Sequence, residues 1–150
     1  MAFQMKIDDI DRRLLEALLE DARLPLKELA ARVGMSSPGV SDRLKRLEEN
    51  GVIRGYTLDV DPKALGYLFQ TIVRVRPLPG NLHVVQKALQ ETPQITECDK
   101  VTGEDCFVVR MHVRSMEDLD QVLDKIAEKA ETSTSVVKSQ PVTRRLPPVI

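Results

Sequence analysis

The sequence predicts an α+β chain: an N-terminal winged helix-turn-helix followed by a ferredoxin-like βαββαβ domain. Three observations predict it. Two short amphipathic segments meet at Gly34 with helix-start signals before each. After residue 67, runs rich in Val, Ile and Thr alternate with two further amphipathic segments. The 150 residues are enough for two small domains, placed at 1–62 and 68–150 with a linker over 63–67.

The first helix is expected from Ile10 onward, where apolar residues at 10, 14, 15, 18 and 19 keep helical spacing. Asp8 and Asp9 suit its N-terminus by capping and by the helix dipole. Pro25 opens a second helix ending at Gly34, where a left-handed backbone is cheap for glycine alone. Ser36 caps a third helix that runs to about Asn50 and stops at Gly51. Helices two and three, joined by so short a turn, form a helix-turn-helix. Ala30 permits close crossing, Gly34 makes the turn, and Val40 packs the pair.

At 100° per residue, Val40, Leu44 and Leu47 share one side of helix three and must face a core. Pro38, Asp42, Lys45 and Glu49 lie opposite, flanked by Ser41 and Arg46. The N-terminal end of such a helix enters the major groove of double-stranded DNA. Ser36, Ser37, Pro38 and Gly39 stand at that end, and small residues permit close approach. Ser37 and Ser41 can bond bases or phosphates, Asp42 can accept from cytosine, and Arg43, Lys45 and Arg46 suit guanine or phosphate. Residues 52–61 read as a hairpin hinged on Gly55, a wing with Arg54 at its tip. Asp61-Pro62 then begins a turn.

The second half reads as strand 68–76, helix 81–91, strand 95–101, strand 106–114, a helix after Ser115 reaching Ala130, and strand 133–140. On the second strand Ile95, Glu97, Asp99 and Val101 are expected on one side. Ser115 and Asp118 suggest a capping box. In this topology helices cover one sheet face, so the other must meet water or a partner, and self-association as a two-fold dimer is the simplest outcome.

Composition narrows the function. There are 22 basic and 23 acidic residues, for a net charge of -1, evenly divided between the halves. That excludes a polycation or acidic tail but permits a basic face. Aromatics make up 3% and Trp is absent, which argues against stacking platforms for single-stranded nucleic acid. No run is long and apolar enough for a membrane span and the N-terminus is too polar for a signal peptide, so a cytoplasmic location is expected. Cys98 and Cys106 fit no zinc or C-x-x-C spacing and read as reduced thiols, a redox switch or disulfide being the alternative. His83 and His112 read as surface residues, and no metal site is expected. No nucleophile–base pair or phosphate loop points to an enzyme.

Three stretches carry a resemblance: IDDIDRRLLEALLEDARLPLKELAARVGMS, SPGVSDRLKRLEENGVIRGYTLDVDPKALGY and VTGEDCFVVRMHV. Together they resemble the leucine-responsive regulatory protein/AsnC, or feast/famine, family of transcription regulators. The resemblance implies a DNA-binding helix-turn-helix and a βαββαβ domain for effector sensing and oligomerisation. It also implies a homodimer assembling further into tetramers or octamers, a nucleoid-associated location, and a small effector, usually an amino acid, with no other cofactor. By this resemblance Thr102, Gly103, Glu104, Asp105 and Cys106 are effector candidates, joined by Thr132, Ser133 and Thr134. Pro25 stands where the family usually has Ser or Thr, and Cys106 where it usually has Asp, so that either Glu104 or Asp105 serves in its place or another ligand is preferred. An architectural DNA-wrapping protein without a ligand is the competing function.

Overall fold

The computed structural model describes residues 6–149. They fall into two compact units. The first runs to Leu58 and takes in the stretch from Arg144 onward; the second is Asp59–Thr143. The expected division at 62/68 therefore shifts. Pro62–Leu65 is a 3-10 turn capped by the Asp61 carboxylate, and it belongs to the second unit.

The first unit holds α1 (Asp9–Glu20), α2 (Leu26–Val33) and α3 (Ser37–Glu49). Asp8 caps α1 reciprocally with Asp11: each carboxylate accepts the other residue's backbone N–H. Gly34 ends α2 in the left-handed region at φ 69°. Ser36 caps α3 by accepting from the Gly39 N–H. Leu14, Ala17, Leu29, Ala30, Val33 and Val40 form the core, with Leu44 packed against it. The predicted inward side of α3 is confirmed, since Val40 and Leu47 are fully buried.

No hairpin follows α3. The Val52 and Ile53 N–H groups both bond the Leu47 carbonyl, which closes the helix end. Residues 54–61 then run without regular secondary structure. The wing expected at 52–61 is thus absent within this chain. Tyr56, Leu58 and Val60 are exposed, and no backbone hydrogen bond among the described residues pairs them with another segment.

The second unit is a four-stranded antiparallel sheet in the order β2-β3-β1-β4. Its elements are β1 (Phe69–Pro77), α4 (Leu82–Gln90), β2 (Ile95–Lys100), β3 (Phe107–Val113), α5 (Met116–Asp124) and β4 (Ala130–Val136). This is the predicted βαββαβ arrangement. Val73, Val75, Phe107, Val109, Met111 and Val113 face Val85, Leu89, Leu119 and Val122 of the helices. Three expectations shift. α5 ends at Asp124, and Ala130 starts β4 instead of closing the helix. A bulge between Ile95 and Glu97 breaks the alternation of β2, so Ile95 packs on the core while Glu97 pairs beside Arg110. The Ser115–Asp118 cap is only half reciprocal, because Asp118 Oδ2 accepts from the Arg114 N–H and not from Ser115.

One ionic cluster ties α1 to α3. The Asp11 carboxylate is fully buried. It accepts from Arg43 Nη1 at 2.9 Å and from Arg46 Nη2 at 2.8 and 3.1 Å. Arg43 also reaches Asp8 at 2.7 Å. Removing the acid strands two guanidinium groups, although at 22% and 48% side-chain exposure they regain some water. Asp11→Ala is therefore expected to cost about 2–3 kcal/mol, below the full penalty for an uncompensated buried charge, read as a shift in the urea midpoint.

Asp8 supplies a pH test. Its own cap on the Asp11 N–H, then Arg43, hold its carboxyl at about 2 against an ordinary 3.8. A depressed pKa favours folding in full where the group is ionised in both states, and progressively less as pH falls through the folded value. Its contribution is complete above about pH 4 and disappears as pH falls towards 2. The stability gap between wild type and Asp8→Asn should close over that window in urea titrations.

Candidate functional site

The first candidate surface is the exposed side of α3. Ser36, Pro38, Ser41, Asp42 and Lys45 are exposed; Ser37 and Gly39 are half-buried. No acid occupies the first turn, so no side-chain charge opposes the positive end of the helix dipole. Lys45 lies 3.7 Å from Glu49 in an exposed i,i+4 pair, a weak tie that leaves it available to a phosphate. Gly39 has a reason of its own. A Cβ there would sit 3.0 Å from Met35 Cε and 3.2 Å from Ser36 Oγ, so glycine lets the turn close.

Arg43 and Arg46 do not join this surface. Both turn towards α1 and end on Asp11. Hydrogen bonds that Arg43 donates to Asp8 and Asp11 push its pKa above the ordinary value. Within the chain the two arginines set α3 against α1, Arg43 half-buried and Arg46 still exposed. Arg54 is exposed, but on the irregular chain after α3 and not at a hairpin tip.

The second candidate surface lies on the sheet face that carries no helix. Thr102, Gly103 and Glu104 are exposed in the turn between β2 and β3, and Asp105 is half-buried. Gly103 holds φ 107°, which only glycine adopts cheaply. Arg76 gathers this turn. Its guanidinium lies 3.2 Å from Glu104, 3.6 Å from Asp105 and 3.5 Å from Glu131. Arg74 stands 4.0 Å from Asp105. The sequence reading missed Arg74, Arg76 and Glu131. The signal was present, since strand alternation puts residues 74 and 76 together.

Cys106 belongs elsewhere: it packs half-buried against the hydrophobic core, and its carbonyl accepts from the Val101 N–H. Thr132, Ser133 and Thr134 do not converge either. They lie mid-strand in β4, not at its start, opposite Val75, Arg74 and Val73. Paired residues share a face, so only Ser133 joins Arg74. Near the other edge, Arg110 pairs with Glu97 at 3.3 Å and His112 Nδ1 lies 3.2 Å from Thr96 Oγ1. Burial, then Arg110, push His112 below its ordinary pKa. His112 is half-buried, not the simple surface residue expected.

A cleft of about 330 Å³ opens between α4 and β2, lined by Gln86, Gln90, Ile95, Cys98, Lys100 and Phe107 among others. None of the expected effector residues lines it. Burial, then Asp99, push the Cys98 thiol up, which lowers its reactivity.

Comparisons with known proteins bear on both surfaces. Residues 7–54 match the model for winged helix-turn-helix DNA-binding domains. Residues 70–147 match the Lrp/AsnC ligand binding domain. The regulator LrpC of Bacillus subtilis is 32% identical over 91% of this chain and 94% of its own length. Its solved structure superposes with a TM-score of 0.87, covering 93% of this chain and all of that one. LrpA of Mycobacterium tuberculosis is 36% identical over 85% of this chain and 86% of its own. A feast or famine regulatory protein of M. tuberculosis, solved in complex with L-methionine, is 31% identical with a TM-score of 0.88, covering 96% of this chain and all of that one. With a DNA-binding helix-turn-helix in its first half and this ligand-binding domain across its second, the chain belongs to the Lrp/AsnC family of transcriptional regulators.

Proposed function

We propose that the chain is a non-enzymatic, sequence-specific regulator whose assembly or DNA affinity responds to an amino-acid effector. The observation that carries the DNA half is the exposed N-terminal part of α3, with its small residues, unopposed helix dipole and Lys45. Ser37, Ser41 and Asp42 reach base edges, while Ser36, Lys45 and Arg54 take phosphates. The sheet face without helices carries half-buried Ile72 and Val108, a surface suited to a second copy. A dimer, extended to tetramers or octamers, would place two copies of α3 on a pseudo-palindromic site. Such a protein works in the cytoplasm, on the nucleoid.

For the effector half, the Arg76 cluster supplies both charges that a free amino acid requires. Arg76 can hold an α-carboxylate, and Glu104 or Asp105 an α-ammonium. The L-methionine complex of the M. tuberculosis relative supports this chemistry. One observation favours an architectural role without a ligand: these acids are already paired with Arg76 inside the chain. Titration calorimetry against the twenty amino acids separates the two readings. Heat from at least one, lost on Arg76→Ala and on Glu104→Ala, is expected; a silent panel favours the architectural role.

The DNA contacts are tested by anisotropy with a duplex from the region upstream of its own gene and a scrambled control. Lys45→Ala should weaken binding and lower the log–log salt slope by about 0.9, the value of one phosphate contact. Ser41→Ala should reduce preference for the specific duplex by about tenfold, one to two base-edge bonds. No preference by the intact protein at any salt would refute sequence-specific regulation.

A further inference from the structure

The exposed side of α3 is short of positive charge. Arg43 and Arg46 end on Asp11, and Lys45 stands beside Asp42, Glu48 and Glu49. A unit that docks on a phosphate backbone needs cations from somewhere else in its own body. The closing stretch of the chain has them. From Thr132 onward there is no acidic residue, while Lys138, Arg144 and Arg145 are all basic. The residues from Arg144 onward pack with the helix-turn-helix into one compact unit, whereas Lys138 belongs to the other. Arg144 and Arg145 are exposed, and neither makes an ion pair among the described residues. Pro141, Pro147 and Pro148 bracket them, and proline restricts the backbone, so ordering this stretch on a partner loses little entropy.

We infer that Arg144 and Arg145 form a second DNA-contacting element of the helix-turn-helix unit, holding phosphates of the duplex that α3 reads. The inference rests on the DNA-binding reading above. Side chains of this type position a protein on DNA without reading sequence. They make good the cations that Asp11 withholds from α3.

The test uses the full-length chain and a labelled random-sequence 40-base-pair duplex, since phosphate contacts do not depend on sequence. Binding is measured across a salt series. Arg144→Ala with Arg145→Ala should lower the log–log slope by about 1.8, twice the value for one phosphate. Arg144→Lys with Arg145→Lys keeps the charges and should restore the wild-type slope. Lys138→Ala removes a cation of the same stretch from the other unit and should leave the slope unchanged. Thermal unfolding alike in all four proteins confirms that folding is intact. A wild-type slope in the double alanine variant, or an equal loss per charge in Lys138→Ala, overturns the inference while the parent reading stands. Failure of the wild-type chain to bind any duplex removes both.

Discussion

A single buried carboxylate fixes the working half of this molecule. Asp11 has no access to solvent, and two arginines of α3 close over it. An ion pair of this kind adds little net stability, because desolvating the charges offsets much of their attraction. Its value is geometric. A hydrophobic stripe of Val40, Leu44 and Leu47 would tolerate some roll and slide of α3 on its neighbours. Bonds at 2.8–2.9 Å from two successive turns of α3 to one acid do not. They set which residues point outward, and so which can touch a base. The same bonds tie the Arg43 and Arg46 guanidinium groups to Asp11, which leaves hydroxyls, Asp42 and one lysine as the outward groups of α3 without that tie.

The second unit solves a different problem with the same residue types. Both helices lie on one sheet face, leaving Gln70, Ile72, Arg74 and Arg76 of β1 on the other. An apolar surface there would be an aggregation hazard in an isolated chain. Arginines paired to the acids of the β2–β3 turn keep it hydrated and still able to exchange partners. Exposed pairs of this kind cost little to break. A zwitterion that offers Arg76 a carboxylate and Glu104 an ammonium replaces two weak contacts by two of the same type. Any net gain would have to come from burying both, where the local dielectric falls.

Most of the fold was legible because its signals are local. Helix caps at Asp8 and Ser36, the glycine stop at 34 and the alternation of Phe107 to Val113 each depend on a few neighbouring residues. The failures share one cause. The 52–61 segment has hairpin composition, but a strand needs a partner, and composition cannot say whether the same chain provides it. Ile95 and Glu97 were placed on one side because a bulge leaves no trace in a short polar strand. β4 was read three residues late because Ala130 fits a helical stripe as well as a strand end. In the observed register alternation sends Thr132 and Thr134 to the face opposite Arg74 and Arg76. Arg46 is the instructive case: the helical wheel places it beside the outward side, and only a long-range acid 35 residues away turns its guanidinium in.

Net charge therefore says little about how this chain meets DNA. The total of -1 includes arginines that are satisfied internally and acids that have no cation to neutralise. What a phosphate backbone senses is the set of cations free at the docking surface. On α3 that set is close to a single lysine, so the helix by itself offers little to a phosphate backbone. Weak single contacts are a suitable basis for regulation. When affinity is the product of several such units held together, a small change in their assembly multiplies through every one of them. A strongly basic recognition helix would bind in any state of assembly and leave an effector nothing to control.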